Sequence, residues 1–425
     1  MRWLFIVCGC VVSCILAMGC GAVGAPRSTN PSRRIPAAQS ARVVSGHARS
    51  PAVFHVVNYT DDITAAQAAR YKIVLLQYSK TVRRLVDRIH RRDPGVKVLL
   101  YQDPTVAGTS GPTGGYTACT SDSQDDRGGS SWYLYQQDSS GGQTQITGEM
   151  NFGDMDYQSV CVKHALSLAR SAHADGIFWD QINTVARYSI PAPCVEAYES
   201  SSCWSTSRWR SNMYSLVKKI ALASSNAGLL SIINIGGANG GTNAGTTAEW
   251  RQWTSQVAGS MEESFVSTLG GTNLPYRVWK SEIQNEAWSE AHHKYDLLVH
   301  YSPSENDQSE DTYGLASMLL VAGGYSSYGS PRPSQNSPYR WWPEYSTAQH
   351  LGAPAGAYTK SKSRAATVYL RKFANGLVLV NPTDSPSGPV SLRAMYSGSG
   401  DEPMNVRSVR LPAHTGLILR TPHRR

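Results

Sequence analysis

Short apolar runs alternate with amphipathic segments along most of this 425-residue chain. Such alternation is typical of parallel α/β folds, in which a helix follows each strand and covers the sheet. Two stripes, Val82–Ile89 and Trp209–Ile220, repeat at the spacing of a buried helix face. The candidate strands are Val53–Tyr59, Ile73–Tyr78, Val96–Gln102, Gly176–Asp180, Leu229–Ile235, Gly259–Phe265, Leu297–Tyr301 and Tyr325–Tyr328. Eight parallel strands close naturally into a barrel, and the GxGxxG loop of open dinucleotide-binding sheets is absent, so the sequence predicts a (β/α)8 TIM barrel.

Changes in composition and hydrophobic pattern divide the chain into four parts. Residues 1–24 resemble a secretory or lipoprotein signal, and residues 25–50 form a linker rich in Arg, Ser, Ala and Pro. We expect the barrel to occupy residues 51–360. From 365 to 425 the apolar pattern alternates, with a hairpin signal at Asn375-Gly376, which predicts a small C-terminal antiparallel β domain.

The N-terminal segment predicts export. A basic residue is followed by an apolar run and then by small residues around Cys20. Leu16–Cys20 is similar to a lipobox, which would attach a lipid to Cys20 and hold the protein at the membrane, and cleavage between Ala22 and Ala25 fits equally well. The expected location is therefore secreted or extracellular, with or without a lipid anchor.

Four cysteines follow the leader, which in an exported protein suggests two disulfides. Three pairings are open. The short loop between Cys194 and Cys203 favours that pair, which leaves Cys119 to pair with Cys161. The chain has no CxxC or HExxH motif, so we expect no metal, and no motif indicates an organic cofactor.

Charge and aromatic content bear on the partner. Much of the formal charge of +9 comes from the segment Arg27–Arg42 and the final two arginines, so we read it as solvated charge and expect no nucleic-acid partner. The chain has 11 Trp and 22 Tyr but only six Phe. Rings that combine a flat apolar face with a polar group suit a polysaccharide or oligosaccharide, although packing in the core uses them as well.

Acidic residues at the ends of predicted barrel strands are the main catalytic candidates, because functional groups of these barrels project from the C-terminal strand ends. Asp180 ends the run Gly176–Asp180, and Glu262 and Glu263 end the sixth run. Alternation along a strand sends only one of the two glutamates into the barrel mouth, and we favour Glu263 over Glu262. Two carboxylates suffice for glycoside hydrolysis, so we assign Asp180 as nucleophile or base and Glu263 as acid.

Other polar and aromatic residues near strand ends are candidates for binding sugar hydroxyls or rings. For each of them a structural role is an open alternative. They are Asn58, Asp103, Asn234, His300, Tyr301 and Trp132.

At these residues the chain resembles the glycoside hydrolase-like TIM-barrel proteins of bacteria, a group related to polygalactosaminidase-like glycosidases. The resemblance spans roughly Val53 to Leu419 and includes Asp175–Asp180, Met261–Phe265 and the C-terminal run Tyr369–Pro382. It implies a glycosidase fold, places the acidic motifs on strands four and six, and favours Glu263 by alignment on Phe265. The group usually carries a single acid where this chain has two.

Two function classes compete with an exported glycoside hydrolase acting on a polysaccharide. One is a non-catalytic carbohydrate-binding surface protein that keeps the barrel without a working acid pair. The other is an exported protein that binds an anionic polymer through its basic charge, which would not explain the acidic strand ends.

Overall fold

A computed structural model describes most of the chain beyond its N-terminal segment. The described residues are 52–57, 63–106, 118–120, 129–137, 142–184, 194–196, 206–235, 246–304, 307–330, 341–363, 366–398 and 405–422. The predicted leader and linker, Asn58 and Cys203 lie outside them. Within the described part, no helix has the length and apolar character needed to cross a membrane.

Eight parallel strands form a closed barrel, which confirms the predicted fold. Around the barrel the order is β1-β11-β10-β9-β8-β6-β3-β2, so each strand pairs with its sequence neighbours among the eight. The strands are β1 (Ala52–Val57), β2 (Ile73–Leu76), β3 (Lys97–Gln102), β6 (Gly176–Trp179), β8 (Leu230–Asn234), β9 (Gly259–Glu263), β10 (Tyr295–Val299) and β11 (Ser326–Gly329).

Helices follow the barrel strands and cover the outside of the barrel. The helices of the described chain are α1 (Ala65–Ala68), α2 (Val82–Arg92), α3 (Met155–Ser171), α4 (Thr206–Ala227), α5 (Thr247–Gln256), α6 (Tyr276–Ala291), α7 (Gln308–Leu319) and α8 (Pro343–Gln349). In α2 the apolar stripe is buried while its arginines face solvent, as the helical spacing predicts. Asp154 caps α3, where its side chain accepts from the backbone N–H groups of Asp156 and Tyr157.

Alternation along the strands separates two cores. One set of strand residues packs with the helices, and the other forms an apolar cluster inside the barrel. The inner cluster comprises Ile73, Leu75, Leu99, Phe178, Ile232, Met261, Leu297 and Val299. Because side chains alternate along a strand, the next inward-facing residue lies two positions beyond the last member of this cluster on that strand. These positions lie at the mouth of the barrel.

A small antiparallel sheet is formed by segments inserted in the chain between β3 and β6 and between β6 and β8. It comprises β4 (Tyr133–Gln137), β5 (Gln143–Met150) and β7 (Cys194–Glu196), in the order β5-β4-β7. The sequence pattern does not predict this sheet, because β5 is rich in Gln and Thr without an apolar run and β7 has only three residues. A disulfide joins Cys119 to Cys161 of α3, with the Cα atoms 4.9 Å apart.

The C-terminal part forms two antiparallel sheets. The larger has the order β12-β13-β14-β17, and β15 pairs with β16. The strands are β12 (Thr359–Ser363), β13 (Ala366–Phe373), β14 (Gly376–Asn381), β15 (Val390–Tyr396), β16 (Val406–Val409) and β17 (Thr415–Arg420). The predicted hairpin is present, but Gly376 pairs with Phe373, so Ala374 and Asn375 form its turn.

Close backbone contact joins the larger C-terminal sheet to the barrel. A Cβ atom at Gly416 of β17 would lie 2.7 Å from the Cβ of Ala316 on α7, so a side chain at this position would force the two elements apart. Arg371 of β13 also donates from Nη1 to the carbonyls of Leu319 and Ala322 at the end of α7. The sheet is thus fixed against the helix that follows β10.

Candidate active site

Five inward-facing side chains converge at the mouth of the barrel. Asp180 follows β6 directly, Glu263 ends β9 and Asn234 ends β8. Each lies two residues beyond a member of the inner apolar cluster, as do Tyr101 on β3 and Tyr301 after β10. The alternation of the strands thus places all five on the same side of the barrel wall.

Asn234 connects the two carboxylates. Its Nδ2 donates to Asp180 Oδ1 over 2.8 Å and to Glu263 Oε2 over 3.0 Å. The amide is only 7% exposed, and its backbone carbonyl accepts from the N–H of Ile182, so both ends of the residue are tied to the segment that carries Asp180. The two strand-end carboxylates therefore belong to a single hydrogen-bonded group.

A tyrosine hydroxyl donates to each carboxylate. Tyr101 bonds to Asp180 Oδ2, and the Tyr301 hydroxyl donates to Glu263 Oε1 over 2.6 Å. Burial and the neighbouring carboxylate raise the pKa of both phenols, so each remains a donor across the ordinary pH range.

The surroundings of Glu263 favour its protonated form. Burial raises the pKa of its carboxyl group, and the negative charge of Asp180 raises that pKa further. Hydrogen bonds from Tyr301 and Asn234 act in the opposite direction but do not cancel the rise. A carboxyl group whose pKa is raised in this way suits a general acid.

An unusual backbone conformation follows each carboxylate. Gln181 and Ser264 have φ angles of 58° and 76°, in the left-handed region that non-glycine residues seldom occupy. The turn at Gln181 directs its own N–H to Asp180 Oδ1 over 2.8 Å. Local strain of this kind concentrates at functional sites, where the surrounding structure compensates for its cost.

Glu262, the other acidic candidate on β9, faces away from the barrel mouth. It is completely buried, and its position in the strand directs its side chain toward the helices. Its charge contributes to the raised pKa of Asp296 on β10. The structure thus separates the two adjacent glutamates, with Glu263 beside Asp180 and Glu262 behind the barrel wall.

Residues 90–377, about two thirds of the chain, match the family described as hypothetical glycosyl hydrolase family 15. The chain belongs to this family. The match includes Tyr101, Asp180, Asn234, Glu263 and Tyr301. Membership and fold together confirm the predicted glycoside hydrolase-like TIM barrel.

Solved structures support the fold of this family member. A mutant isomaltulose synthase from Erwinia rhapontici NX5 in complex with D-glucose is 9% identical, with a TM-score of 0.51 over 87% of this chain and 98% of that chain. A MutB mutant in complex with the substrate sucrose gives the same identity, coverage and TM-score. At this identity the likeness shows the fold alone. No curated protein sequence matches this chain significantly.

Two further residues proposed from the sequence, Asp103 and Trp132, are held by local contacts in this family member. Asp103 lies beside the mouth, where its Oδ1 accepts from the N–H and hydroxyl of Thr105, and its charge helps to raise the pKa of Tyr101. Trp132 is 7% exposed and packs edge-on against Tyr157, with ring centroids 5.6 Å apart. Packing accounts for Trp132, so we leave it out of the proposed site.

His300 also faces away from the mouth, because it precedes the inward Tyr301 by one residue. It is fully buried, its Nδ1 bonds to the carbonyl of Phe265, and burial lowers its pKa to about 4. A neutral, enclosed imidazole cannot contact a sugar in the barrel mouth. Asn58 lies outside the described residues.

Sequence reasoning did not single out Tyr101. It is the penultimate residue of the strand Lys97–Gln102, where an aromatic residue next to an apolar run is expected to belong to the core. The signal that could have found it is its register, two residues beyond the inward Leu99 and two before Asp103.

Among the described residues, no group of three or more His, Cys, Asp or Glu side chains has an arrangement that could hold a metal ion. The described side chains that hydrogen-bond to one another at the mouth are two carboxylates, two phenols and an amide.

Proposed function

We propose that the protein is an exported glycoside hydrolase that cleaves a polysaccharide or oligosaccharide with Asp180 and Glu263 as its catalytic carboxylates. The observation that carries this proposal is the pair of hydrogen bonds from Asn234, which holds two carboxylates from different strands at the barrel mouth. Glycoside hydrolysis needs one carboxyl group that can donate a proton and one that stays ionised.

The two carboxylates have different surroundings, which supports different roles. Glu263 has a raised pKa, and it can protonate the leaving glycosidic oxygen. Asp180 accepts from Tyr101, Gln181 N–H and Asn234, and three donors stabilise a carboxylate. We therefore assign Glu263 as the acid and Asp180 as the nucleophile or base.

Export is supported by the sequence of residues 1–24 and by the disulfide between Cys119 and Cys161, since disulfides persist in oxidising compartments. A lipid on Cys20 would retain the protein in the membrane fraction. Fractionation of cells that express the full chain, with Cys20→Ser as the comparison, tests this. Release of only the variant into the medium supports the anchor, and release of both indicates a freely secreted protein.

The activity is tested by the release of reducing ends from a panel of bacterial and fungal polysaccharides. We expect Asp180→Asn and Glu263→Gln to abolish release while the folded structure persists. Glu262→Gln is the matched control, because it makes the same change one residue away on the opposite face of β9. Loss of activity in Glu262→Gln alone would contradict the assignment.

A carbohydrate-binding protein without catalysis is the competing function. It predicts silence across the panel together with glycan binding that neither Asp180→Asn nor Glu263→Gln changes. Turnover by the parent protein would exclude it.

A further inference from the structure

The hydrogen bonds of Asn234 limit the distance between two carboxylate oxygens, Asp180 Oδ1 and Glu263 Oε2. Two oxygens bonded to one nitrogen over 2.8 and 3.0 Å cannot lie farther apart than the sum, about 5.8 Å, and the angle of roughly 120° between the N–H bonds of an amide brings them to about 5.0 Å. Glycosidases that retain the anomeric configuration place their carboxyl groups about 5–5.5 Å apart. Inverting enzymes need about 6.5–9.5 Å, because a water molecule must fit between the sugar and the base.

The strands by themselves would not impose this short distance. β6 pairs with β8 and β8 pairs with β9, so one strand separates the backbones of Asp180 and Glu263. Since paired strands lie about 4.8 Å apart, these backbones are separated by about 10 Å along a flat sheet. Asn234 lies on the intervening strand and draws both side chains toward its amide.

We propose that this protein, if it has the glycosidase activity proposed above, hydrolyses its substrate with retention of configuration, with Asp180 as the nucleophile and Asn234 as the positioning residue that sets the spacing. Asp180 suits the nucleophilic role because three donors hold its carboxylate in place.

The reaction then proceeds in two balanced steps. In the first, an Asp180 oxygen bonds to the anomeric carbon, the glycosidic C–O bond breaks, and the leaving oxygen takes the proton of Glu263. In the second, the Glu263 carboxylate removes a proton from water, the water oxygen bonds to the anomeric carbon, and the ester bond to Asp180 breaks. One water molecule is consumed and both carboxyl groups return to their starting state.

Stereochemistry tests the proposal directly. The probes are a panel of 2,4-dinitrophenyl glycosides of both anomeric configurations, together with the polysaccharides named above. Proton NMR within the first minutes should show a first-formed sugar with the anomeric configuration of the cleaved bond. First formation of the opposite anomer would overturn retention while leaving the glycosidase activity in place. Absence of cleavage of every probe would overturn the proposed function and retention with it.

Rescue by azide identifies which of the two carboxylates is the nucleophile and which is the acid. With Glu263→Ala, azide should restore cleavage of the activated glycosides and give a glycosyl azide of retained configuration. With Asp180→Ala, azide replaces the nucleophile and should give the inverted product. The reverse pattern would overturn the assignment of Asp180 as nucleophile.

Asn234→Ala tests the positioning role. We expect kcat to fall about 100-fold with a much smaller change in KM, because displacement of reacting groups by about 1 Å has an effect of this size. The hydrogen bond from Asn234 also lowers the pKa of Glu263, so its loss should move the alkaline limb of the kcat/KM profile to higher pH. A merely structural role would leave that limb in place, and unchanged kcat and pH profile in a folded Asn234→Ala would overturn the positioning role.

Discussion

Replacement of Glu286 by Gln should stabilise the protein increasingly as the pH rises. Glu286 and Glu282 on α6, with Asp296 on β10, are buried behind the barrel wall. Burial raises the pKa of Glu286 well above its usual range, and the charges of Asp296 and Glu290 raise it further. The Ser326 hydroxyl and the Arg371 guanidinium lower this pKa, without reversing the shift.

The sign follows from proton binding. An acid whose pKa is higher in the folded chain than in the unfolded chain holds its proton more tightly when folded, so the stability it contributes is complete below the unfolded pKa, near 4.3 for a glutamate. That stability declines as the pH rises toward the folded pKa. One such group changes the free energy of unfolding by up to about 1.4 kcal/mol per pH unit, or about 2.7 kcal/mol between pH 5 and pH 7.

Gln has the shape of a protonated Glu and does not titrate, so Glu286→Gln removes this decline. Guanidinium chloride unfolding followed by tryptophan fluorescence at pH 5, 6 and 7 measures the difference between the two proteins. We expect the gain of the variant to grow with pH by up to the same 2.7 kcal/mol. The corresponding carboxyl-to-amide exchange at an exposed position, Asp156→Asn, is the control. A loss of stability that grows with pH would refute the reasoning, because it would mean that Glu286 is ionised and paired with Arg371.

Three other predictions concern the candidate site, the disulfide and the contact between the C-terminal sheet and α7. Tyr301→Phe removes a hydrogen bond that lowers the pKa of Glu263, so the alkaline limb of kcat/KM should move to higher pH, and an unmoved limb would exclude Glu263 as the acid. Cys119→Ser removes the disulfide to Cys161, which closes a loop of 42 residues. The chain-entropy description predicts that the free energy of unfolding falls by about 4 kcal/mol relative to the parent protein, measured under oxidising conditions. Gly416→Val should lower the melting temperature by several degrees, because even a Cβ atom at this position would lie 2.7 Å from the Cβ of Ala316 on α7. An unchanged melting temperature would show that β17 and α7 are not closely packed here.

Apolar runs such as Ile73–Leu76 made most of the barrel predictable from sequence, because parallel strands that are buried on both faces are rich in apolar residues. The sheet formed by β4, β5 and β7 could not be found in this way. Its strands carry polar residues such as the Gln pair that ends Tyr133–Gln137, and its third strand, Cys194–Glu196, is only three residues long. Tertiary pairing rather than local pattern forms such a sheet.

The candidate site shows the same division. The strand-end position of Asp180 and the choice of Glu263 over Glu262 followed from alternation, and the structure places both chosen side chains at the mouth. By the same alternation, His300 faces away from the mouth, although its place at a strand end makes it a candidate from the sequence. Tyr101 faces the mouth, although the sequence does not single it out.

Adjacent acids on β9 illustrate how one strand can serve two opposite electrostatic purposes. Glu263 faces a mouth where burial and the charge of Asp180 raise its pKa, against hydrogen bonds from Tyr301 and Asn234 that lower it. Glu262 faces the buried acids behind the wall, where its charge helps to raise the pKa of Asp296. Glu262→Gln should therefore alter the pH dependence of stability and leave the pH dependence of turnover unchanged, whereas Glu263→Gln should abolish turnover. The alternation of a single strand would then separate catalysis from stability within two consecutive residues.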